Sequence, residues 1–226
     1  MKTFEHVGVN LGYDDLLAET GQKGRFYSTP TGSKYPSITT VLSILSEDFI
    51  REWRAAVGEE EANRVSRQAA TRGTKIHALA EDYINNKPID IEKQLPHNVA
   101  MFKSMQPVLD KNIGKVYAQE VPLYSDYLRL AGRVDCIAEW NGVLSIIDFK
   151  TSKSPKKKEW IEKYFIQETF YAIAFEERTG IPIKQLVTVI GVDHAEPQVF
   201  IEDRDNWDKK LIETTNEFYR RKLFGH

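Results

Sequence analysis

Apolar positions along the chain recur with two different periods, and the change from one to the other divides the molecule. Residues 1–36 hold no sustained period. Glycine, threonine and serine are frequent there and Thr29-Pro30-Thr31-Gly32-Ser33 is a turn signal, so the pattern predicts an irregular or hairpin-like lead-in. From Ser37 the spacing becomes helical through Ile38, Val41, Leu42 and Leu45; Ser46-Glu47-Asp48 then opens a second run carrying Phe49, Ile50 and Trp53, which Gly58 ends. A long helix is expected from Glu59 to Asn85, closed by Asn85-Asn86-Lys87-Pro88, and a shorter one between Leu95 and Lys111.

Beyond Gly114 the period shortens. Val116 to Leu123, Leu128 to Trp140 and Val143 to Phe149 read as three strands of an antiparallel meander, with Asn141-Gly142 as a strong hairpin signal. A lysine-rich loop and an apolar helix from Glu159 to Arg178 follow, then strands at Lys184 to Val192 and Gln198 to Ile201, then a helix from an Asp203 cap to about Leu223. This order predicts an α/β fold with a mixed central sheet flanked by helices, and an N-terminal helical region spanning residues 37–113. With 226 residues the expectation is a single domain, 1–226.

Composition narrows the chemistry. One cysteine, Cys136, excludes an internal disulfide framework, a multi-cysteine zinc site and a four-cysteine iron–sulfur cluster within the chain. No stretch approaches the ~18 consecutive apolar residues of a membrane span, and the start lacks a signal-peptide pattern, so a soluble cytoplasmic protein of a bacterium or phage-infected host is expected, with no membrane partner. The formal charge of −2 argues at first against a phosphate-bearing ligand. Locally the picture differs. Ala62 to His77 and Lys150 to Lys158 together hold nine cations and no acid, leaving 22 basic residues against 33 acidic ones elsewhere, so the average conceals two basic stretches.

The third strand of the meander ends Ile146-Ile147-Asp148-Phe149-Lys150, and strand alternation puts Asp148 and Lys150 on one face with Ile147 and Phe149 on the other. The strand before it carries Gly132-Arg133-Val134-Asp135-Cys136. There Val134, Cys136 and Ala138 are read as one apolar face with Asp135 opposite. The Asn141-Gly142 hairpin then brings two carboxylates and an ammonium together. Paired carboxylates can hold Mg²⁺ or Mn²⁺ through oxygen, and a cation beside them can stabilise charge developing on phosphorus. An isolated D-x-K at a strand end is a common surface pair; Gly-Arg-Val-Asp thirteen residues upstream is what raises it above that.

These residues resemble the RecB-like branch of the PD-(D/E)xK nuclease superfamily, Gly132 to Asp135 matching its first acidic motif and Ile146 to Ser152 its second. Upstream, Arg72-Gly73-Thr74-Lys75-Ile76-His77 through Glu81 is similar to the branch's R-G-T-x-x-H-x-x-x-E helix; downstream, Gln167 to Tyr171 is similar to its Q-x-x-x-Y helix. Tyr35-Pro36-Ser37-Ile38-Thr39-Thr40-Val41-Leu42, with Trp53 following, resembles the mitochondrial genome maintenance exonuclease family and its phage-encoded relatives. The resemblance implies a restriction-endonuclease-like core and a divalent metal, Mg²⁺ or Mn²⁺, held by His77, Asp135, Asp148 and the backbone carbonyl of Phe149. It implies Lys150 as a catalytic residue beside Asp148 and Asp135, with Gln167 assisting. Relatives with an iron–sulfur cluster need four cysteines, which this chain lacks.

A helical wheel over Ala62 to Ile84 gives an apolar stripe of Ala69, Gly73, Ile76, Ala80, Tyr83 and Ile84, with His77 and Glu81 on its edge. His77 is then either a semi-buried histidine paired with Glu81 or a ligand that Glu81 orients. Arg64, Arg67, Arg72 and Lys75 lie opposite, as a solvated face or as phosphate contacts. Lys153, Lys156, Lys157 and Lys158 form a flexible loop or a cationic rim to the site. Gln167 shares a stripe with Trp160, Tyr164, Tyr171 and Ala174, and an amide there needs a partner. Tyr171 and Glu120 are auxiliary candidates, Glu120 being either an acid of the site or an edge-strand charge. Trp53, between Arg51 and Arg54, either packs a helix or stacks on an unpaired base in a helical arch over 37–57. The expected function is a metal-dependent DNA exonuclease favouring single strands or free ends, in replication, recombination or repair, with replication or recombination proteins as partners. An endonuclease on the same fold and a non-catalytic nucleic-acid-binding module are the alternatives.

Overall fold

The change of period at Gly114 is the boundary between helices and main sheet in the structure, a computed structural model that describes residues 2–224. The lead-in is more regular than its pattern suggests. β1 (Leu17–Gly21), β2 (Gly24–Ser28) and β3 (Lys34–Pro36) form an antiparallel sheet, and the Thr29 to Ser33 turn joins its last two strands. The N-terminal region is therefore a small sheet followed by helices, not a purely helical one. The little sheet rests on the main one through Leu16, Tyr27, Tyr124 and Ala131.

Ser37 caps α1 (Ile38–Leu42) by accepting a hydrogen bond from the Thr40 amide. A 3₁₀ turn leads into α2 (Glu47–Val57), and Gly58, at φ +87°, turns the chain into α3 (Glu59–Ile84). Arg54 joins the two helices by bonding Glu59 and Asn63. α2 has no buried residue, and from Asn63 to Lys75 α3 has none. This corrects the expected stripe: Ala69 is exposed, Gly73 is half-buried, and only the second half of α3, through Ile76, Leu79, Ala80, Tyr83 and Ile84, joins the core. α2 and the first half of α3 thus lie outside the core clusters. α4 (Pro96–Asn112) completes this layer.

The main sheet runs in the order β4 (Ile113–Ser125), β5 (Leu130–Trp140), β6 (Val143–Ser152), β7 (Gln185–Val192), β8 (Gln198–Asp203). β4, β5 and β6 form the expected antiparallel meander, with Asn141 and Gly142 both at positive φ as a two-residue hairpin demands. β7 is parallel to β6, so the link between them crosses one face as α5 (Glu162–Thr179), and β8 returns antiparallel. α6 (Asp208–Phe224) follows a 3₁₀ turn that Asp203 caps. One face of the sheet packs on α5, α1 and α6 through Ile146, Leu186 and Ile190 against Phe165, Phe170 and Ile38; the other packs on α3 and α4 through Ile147, Phe149 and Val187 against Ile76, Met105 and Leu109.

Candidate active site

β5 and β6 do not stay paired to their ends. Their ladder runs from Trp140↔Val143 to Cys136↔Ile147 and stops there, while β6 continues along β7 as far as Ser152. The sheet forks at Asp135 and Asp148. At the fork Asp135 takes the place of a backbone acceptor, its Oδ2 receiving the Phe149 amide at 2.8 Å.

Strand alternation also breaks there. Val134 packs with Leu130 on the α5 side, whereas Cys136 and Ala138 pack on the α3 side, so the single apolar face expected for Val134, Cys136 and Ala138 does not form. Across from Asp135, between the Gln119↔Cys136 and Val121↔Val134 pairs, Glu120 has φ +48°. A left-handed non-glycine residue costs about 1–2 kcal/mol. It is held at a position where its carboxylate meets two others, consistent with strain stored at a functional site.

The ligand atoms of His77, Glu120 and Asp135 all lie within 4.8 Å of one another. His77 reaches Asp135 from α3, Nδ1 to Oδ2 at 3.3 Å, and packs edge-on against Phe149. Its partner is Asp135 and not Glu81, which corrects the expected i, i+4 pair. Glu81 faces Glu120 closely enough to raise its pKa. On the other side of β6, Asp148 is 1% exposed, ion-paired with Lys150, and accepts a hydrogen bond from Gln167 Nε2 at 3.2 Å. Gln167 also approaches the Tyr171 hydroxyl at 3.4 Å, and the Lys150 ammonium stands 5.1 Å over the ring of Tyr164. The amide on α5 has the partner its burial required.

The charges are strained by desolvation. Burial, reinforced by Asp135, pushes Asp148 up to about 6 even though Lys150 pulls the other way. Burial and the charges of Asp135 and Glu81 push Glu120 up to about 7. Burial alone would raise Asp135 too, but the imidazole of His77 and the charge of Lys150 hold it below the ordinary aspartate range. Burial opposes charge on Lys150 and on His77; Asp148 and Asp135 outweigh it and raise both. A dense group of carboxylates and one imidazole, two of the acids resisting ionisation, is the donor set of a hard divalent cation, and such a cation would reverse those shifts. His77, Glu120 and Asp135 are close enough to hold it. Asp148 is engaged by Lys150 and Gln167.

A cavity of about 480 Å³ opens on this group, lined by His77, Asp135, Lys150 and Gln167 and, from the N-terminal segment, by Arg25, Ser37 and Ser46. Gly132 also lines it. A Cβ there would fall 2.9 Å from the Tyr171 ring and 3.2 Å from Ile38, which explains glycine ahead of Arg133 and Asp135.

Some expected cations lie elsewhere. Arg64 pairs with Glu61 and Lys158 with Glu202. Arg67, Arg72, Lys75 and Lys153 converge on a separate pocket. Lys156 lines a groove beside the main cavity, with Phe49 and Trp160, and Lys157 stacks over Trp160 at 5.4 Å. Trp160 is 61% exposed in a 3₁₀ turn before α5, which corrects its place on a buried stripe; Trp53 is half-buried, and the α2 aromatic that lines the groove is Phe49, 71% exposed. Sequence reasoning missed Arg25 and Lys163 in the cavity wall, and Glu168. The last is wholly buried and bonded to Thr188 beside Asp148, and burial and the charge of Asp148 push it well above the ordinary glutamate range. Its signal was available: eight of the eleven residues from Phe165 to Phe175 are apolar, distributed around the helix, so an acid among them is expected to be buried.

A family model described as the PD-(D/E)XK nuclease superfamily matches residues 100–223. The chain belongs to that superfamily. The match spans the fork, both carboxylates of the forked strands, Lys150 and Gln167. Among curated proteins the superfamily chain is similar to mitochondrial genome maintenance exonuclease 1 of Homo sapiens, 29% identical over 146 residues, covering 60% of this chain and 40% of the human protein. It is similar also to the Xenopus tropicalis protein of that name, 26% identical over 143 residues, covering 60% and 39%. It thus spans about two fifths of the length of these relatives. A solved structure from Eubacterium rectale, described as an inferred exonuclease, aligns with a TM-score of 0.48 and 14% identity over 67% of this chain and 66% of that one.

Proposed function

We propose that the protein is a divalent-metal-dependent DNA exonuclease acting on single strands or free ends. The observation that carries this reading is the fork: it sets Asp135, Lys150 and His77 in the wall of one cavity, with Asp148 buried just behind them against Lys150 and Gln167, in a chain whose superfamily is that of nucleases. Residues from both the N-terminal sheet and the main sheet line that cavity, which supports one nuclease domain over the whole chain. His77, Asp135 and Glu120, with Asp148 and the carbonyl of Phe149 completing the set, would hold Mg²⁺ or Mn²⁺. Such an ion supplies a Lewis acid and a bound water of lowered pKa. Lys150, charged throughout the neutral range, orients the attacking water and stabilises the charge that develops on phosphorus, while Gln167 fixes Asp148. Glu81 tunes Glu120, and Tyr171 holds Gln167 in place.

The cavity is of small-ligand size, enough for one or two unpaired nucleotides, and Phe49 and Trp160 beside it offer flat apolar faces to bases. Both features support single-strand substrates. Roles in replication, recombination or repair, partners from those processes, and a cytoplasmic bacterial or phage setting rest on family likeness alone. Among the described residues no helix is long and apolar enough to cross a membrane.

The test is digestion of end-labelled linear and closed circular single strands with Mg²⁺ or Mn²⁺. Linear strands should shorten from an end while circles survive, and Asp135→Ala, Asp148→Ala and Lys150→Ala should each abolish cleavage. Near-normal turnover by Asp148→Ala would overturn the mechanism; cut circles would make the enzyme an endonuclease.

A further inference from the structure

On the other side of α3 from the cavity, the structure holds a second pocket, of about 550 Å³, that shares none of the cavity's lining residues. Five cations from separate segments line it: Arg67, Arg72 and Lys75 from α3, Lys93 from the turn before α4, and Lys153 just past β6. Asp193 is the one acid in its wall. Asp193 meets Arg72 at 2.6 Å and Asp90 meets Lys93 at 2.7 Å, so Arg67, Lys75 and Lys153 keep unpaired charge among the described residues.

Two further observations give the pocket a polarity. The first turn of α4 opens into it through Leu95, His97 and Asn98; that turn has no side-chain cap and no acid, so a 17-residue helix presents its positive end there. Asn98 is 2% exposed, yet its Oδ1 lacks any hydrogen-bond partner. Its NH₂ group makes no hydrogen bond among the described residues and is not, like that oxygen, a buried orphan, so it is open to an incoming oxygen without any turn of the amide. An uncapped helix start, an unsatisfied buried amide and three free cations together make a receptor for tetrahedral anions.

We propose that this pocket is a phosphate-binding site, and that its occupant is a phosphodiester of the nucleic-acid strand beyond the catalytic cavity. The proposal rests on the nuclease reading above and adds to it a second grip, outside the reaction centre. Lys75 lies two residues from His77 and Lys153 three from Lys150, so the two basic stretches of the sequence each serve the catalytic group at one end and this pocket at the other.

The experiment has two arms, both with EDTA so that no strand is cut. In the first, the His97 and His194 imidazole resonances, both in the pocket wall, are followed during titration with inorganic phosphate and then with a labelled single-stranded oligonucleotide. Shifts with the oligonucleotide support a strand-binding site; shifts with phosphate alone reassign the pocket to free phosphate or a nucleotide product and overturn the stated occupant. No shift with either overturns the site. In the second arm, fluorescence anisotropy compares wild type with Lys75→Gln/Lys153→Gln. The double variant should bind the oligonucleotide on the order of tenfold more weakly at low salt, with its log–log salt slope smaller by about 1.4, at about 0.7 per lost phosphate contact on a single strand. Lys209→Gln, on the exposed face of α6, should leave both unchanged. An unaltered slope in the double variant overturns the proposal whatever the cleavage assay gives, whereas normal turnover by Asp148→Ala overturns only the catalytic reading.

Discussion

Replacing Asp148 by asparagine should make the metal-free protein more stable at alkaline pH while removing its activity. Asp148 is buried against α5, and its pKa stands at about 6 where an ordinary aspartate has 3.8. Because the folded value is the higher one, the stabilisation this group gives is fully present below pH 3.8 and is lost as the pH rises through about 6. At about 1.4 kcal/mol per pH unit, the ionised carboxylate costs the fold roughly 3 kcal/mol by pH 8. Asparagine copies the shape of the neutral acid and keeps the carbonyl oxygen that Gln167 bonds. The loss of the partner of Lys150 is already contained in that figure, since Lys150 is what keeps Asp148 from rising further. For a chain of this size about 2–4 °C accompanies each kcal/mol. Asp148→Asn should therefore melt roughly 6–12 °C above wild type in EDTA at pH 8 and level with it near pH 4. With Mn²⁺ at pH 8 the gap should close or reverse, because only the wild type recovers its full carboxylate set. Calorimetric or fluorescence melts at the two pH values decide it. A variant that melts below wild type in EDTA at pH 8 would refute the reasoning, showing that Lys150 outweighs burial at this position.

Three further outcomes follow from the same geometry. Gly132→Ala should lose about 1–3 kcal/mol in urea melts, because its methyl meets Tyr171 at 2.9 Å, and should lower activity by displacing Gln167; unchanged stability would mean that the wall yields freely. Phe49→Ala and Trp160→Ala should each weaken single-strand binding by about 1–3 kcal/mol per stacked base, measured by anisotropy, with melting temperatures unmoved because both rings are exposed; equal loss on duplex DNA would argue against stacking. Glu168→Gln should be tolerated far better than Glu168→Ala in urea melts, since burial and Asp148 push this carboxyl toward its neutral form and the amide keeps the acceptor for Thr188, whereas Glu168→Ala should lose about 2–4 kcal/mol. A glutamine variant as unstable as the alanine one would show that the carboxylate is ionised.

The sequence made the meander, its Asn141-Gly142 turn and the long α3 legible because each carries a local signal: a period, a turn pair, a glycine stop. It also brought Asp135, Asp148, Lys150, His77 and Gln167 to one place. What it could not show depends on contacts between segments distant in sequence. The face switch at Asp135 follows from the parting of β5 and β6 and from the left-handed Glu120 on a third strand, neither of which has a signature in Gly132 to Cys136. Alternation therefore put Val134 on the wrong face. The helical wheel of α3 assumed a core along its whole length, although the sheet reaches only its second half. Trp160 was read into α5 because nothing in its neighbours marks the 3₁₀ turn that starts the helix two residues later. The cationic stretch of α3 was legible as charge, but its division between an ion pair at Arg64 and a pocket at Arg67, Arg72 and Lys75 depends on where Lys93, Asp193 and α4 come to rest.

The forked pairing of β6 also sets an order of assembly. From Val143 to Ile147 the strand is secured by its hairpin neighbour, which needs only residues already made. From Asp148 to Ser152 its one strand partner is β7, reached across the α5 crossover some forty residues later. Local contacts form early and distant parallel ones late. A nascent chain that ends before Gln185 can build the hairpin, but it leaves the half of β6 bearing Asp148 and Lys150 without a frame. Cleaving ability should therefore arise only once β7 has docked, so an incomplete chain emerging near nucleic acid would be inert.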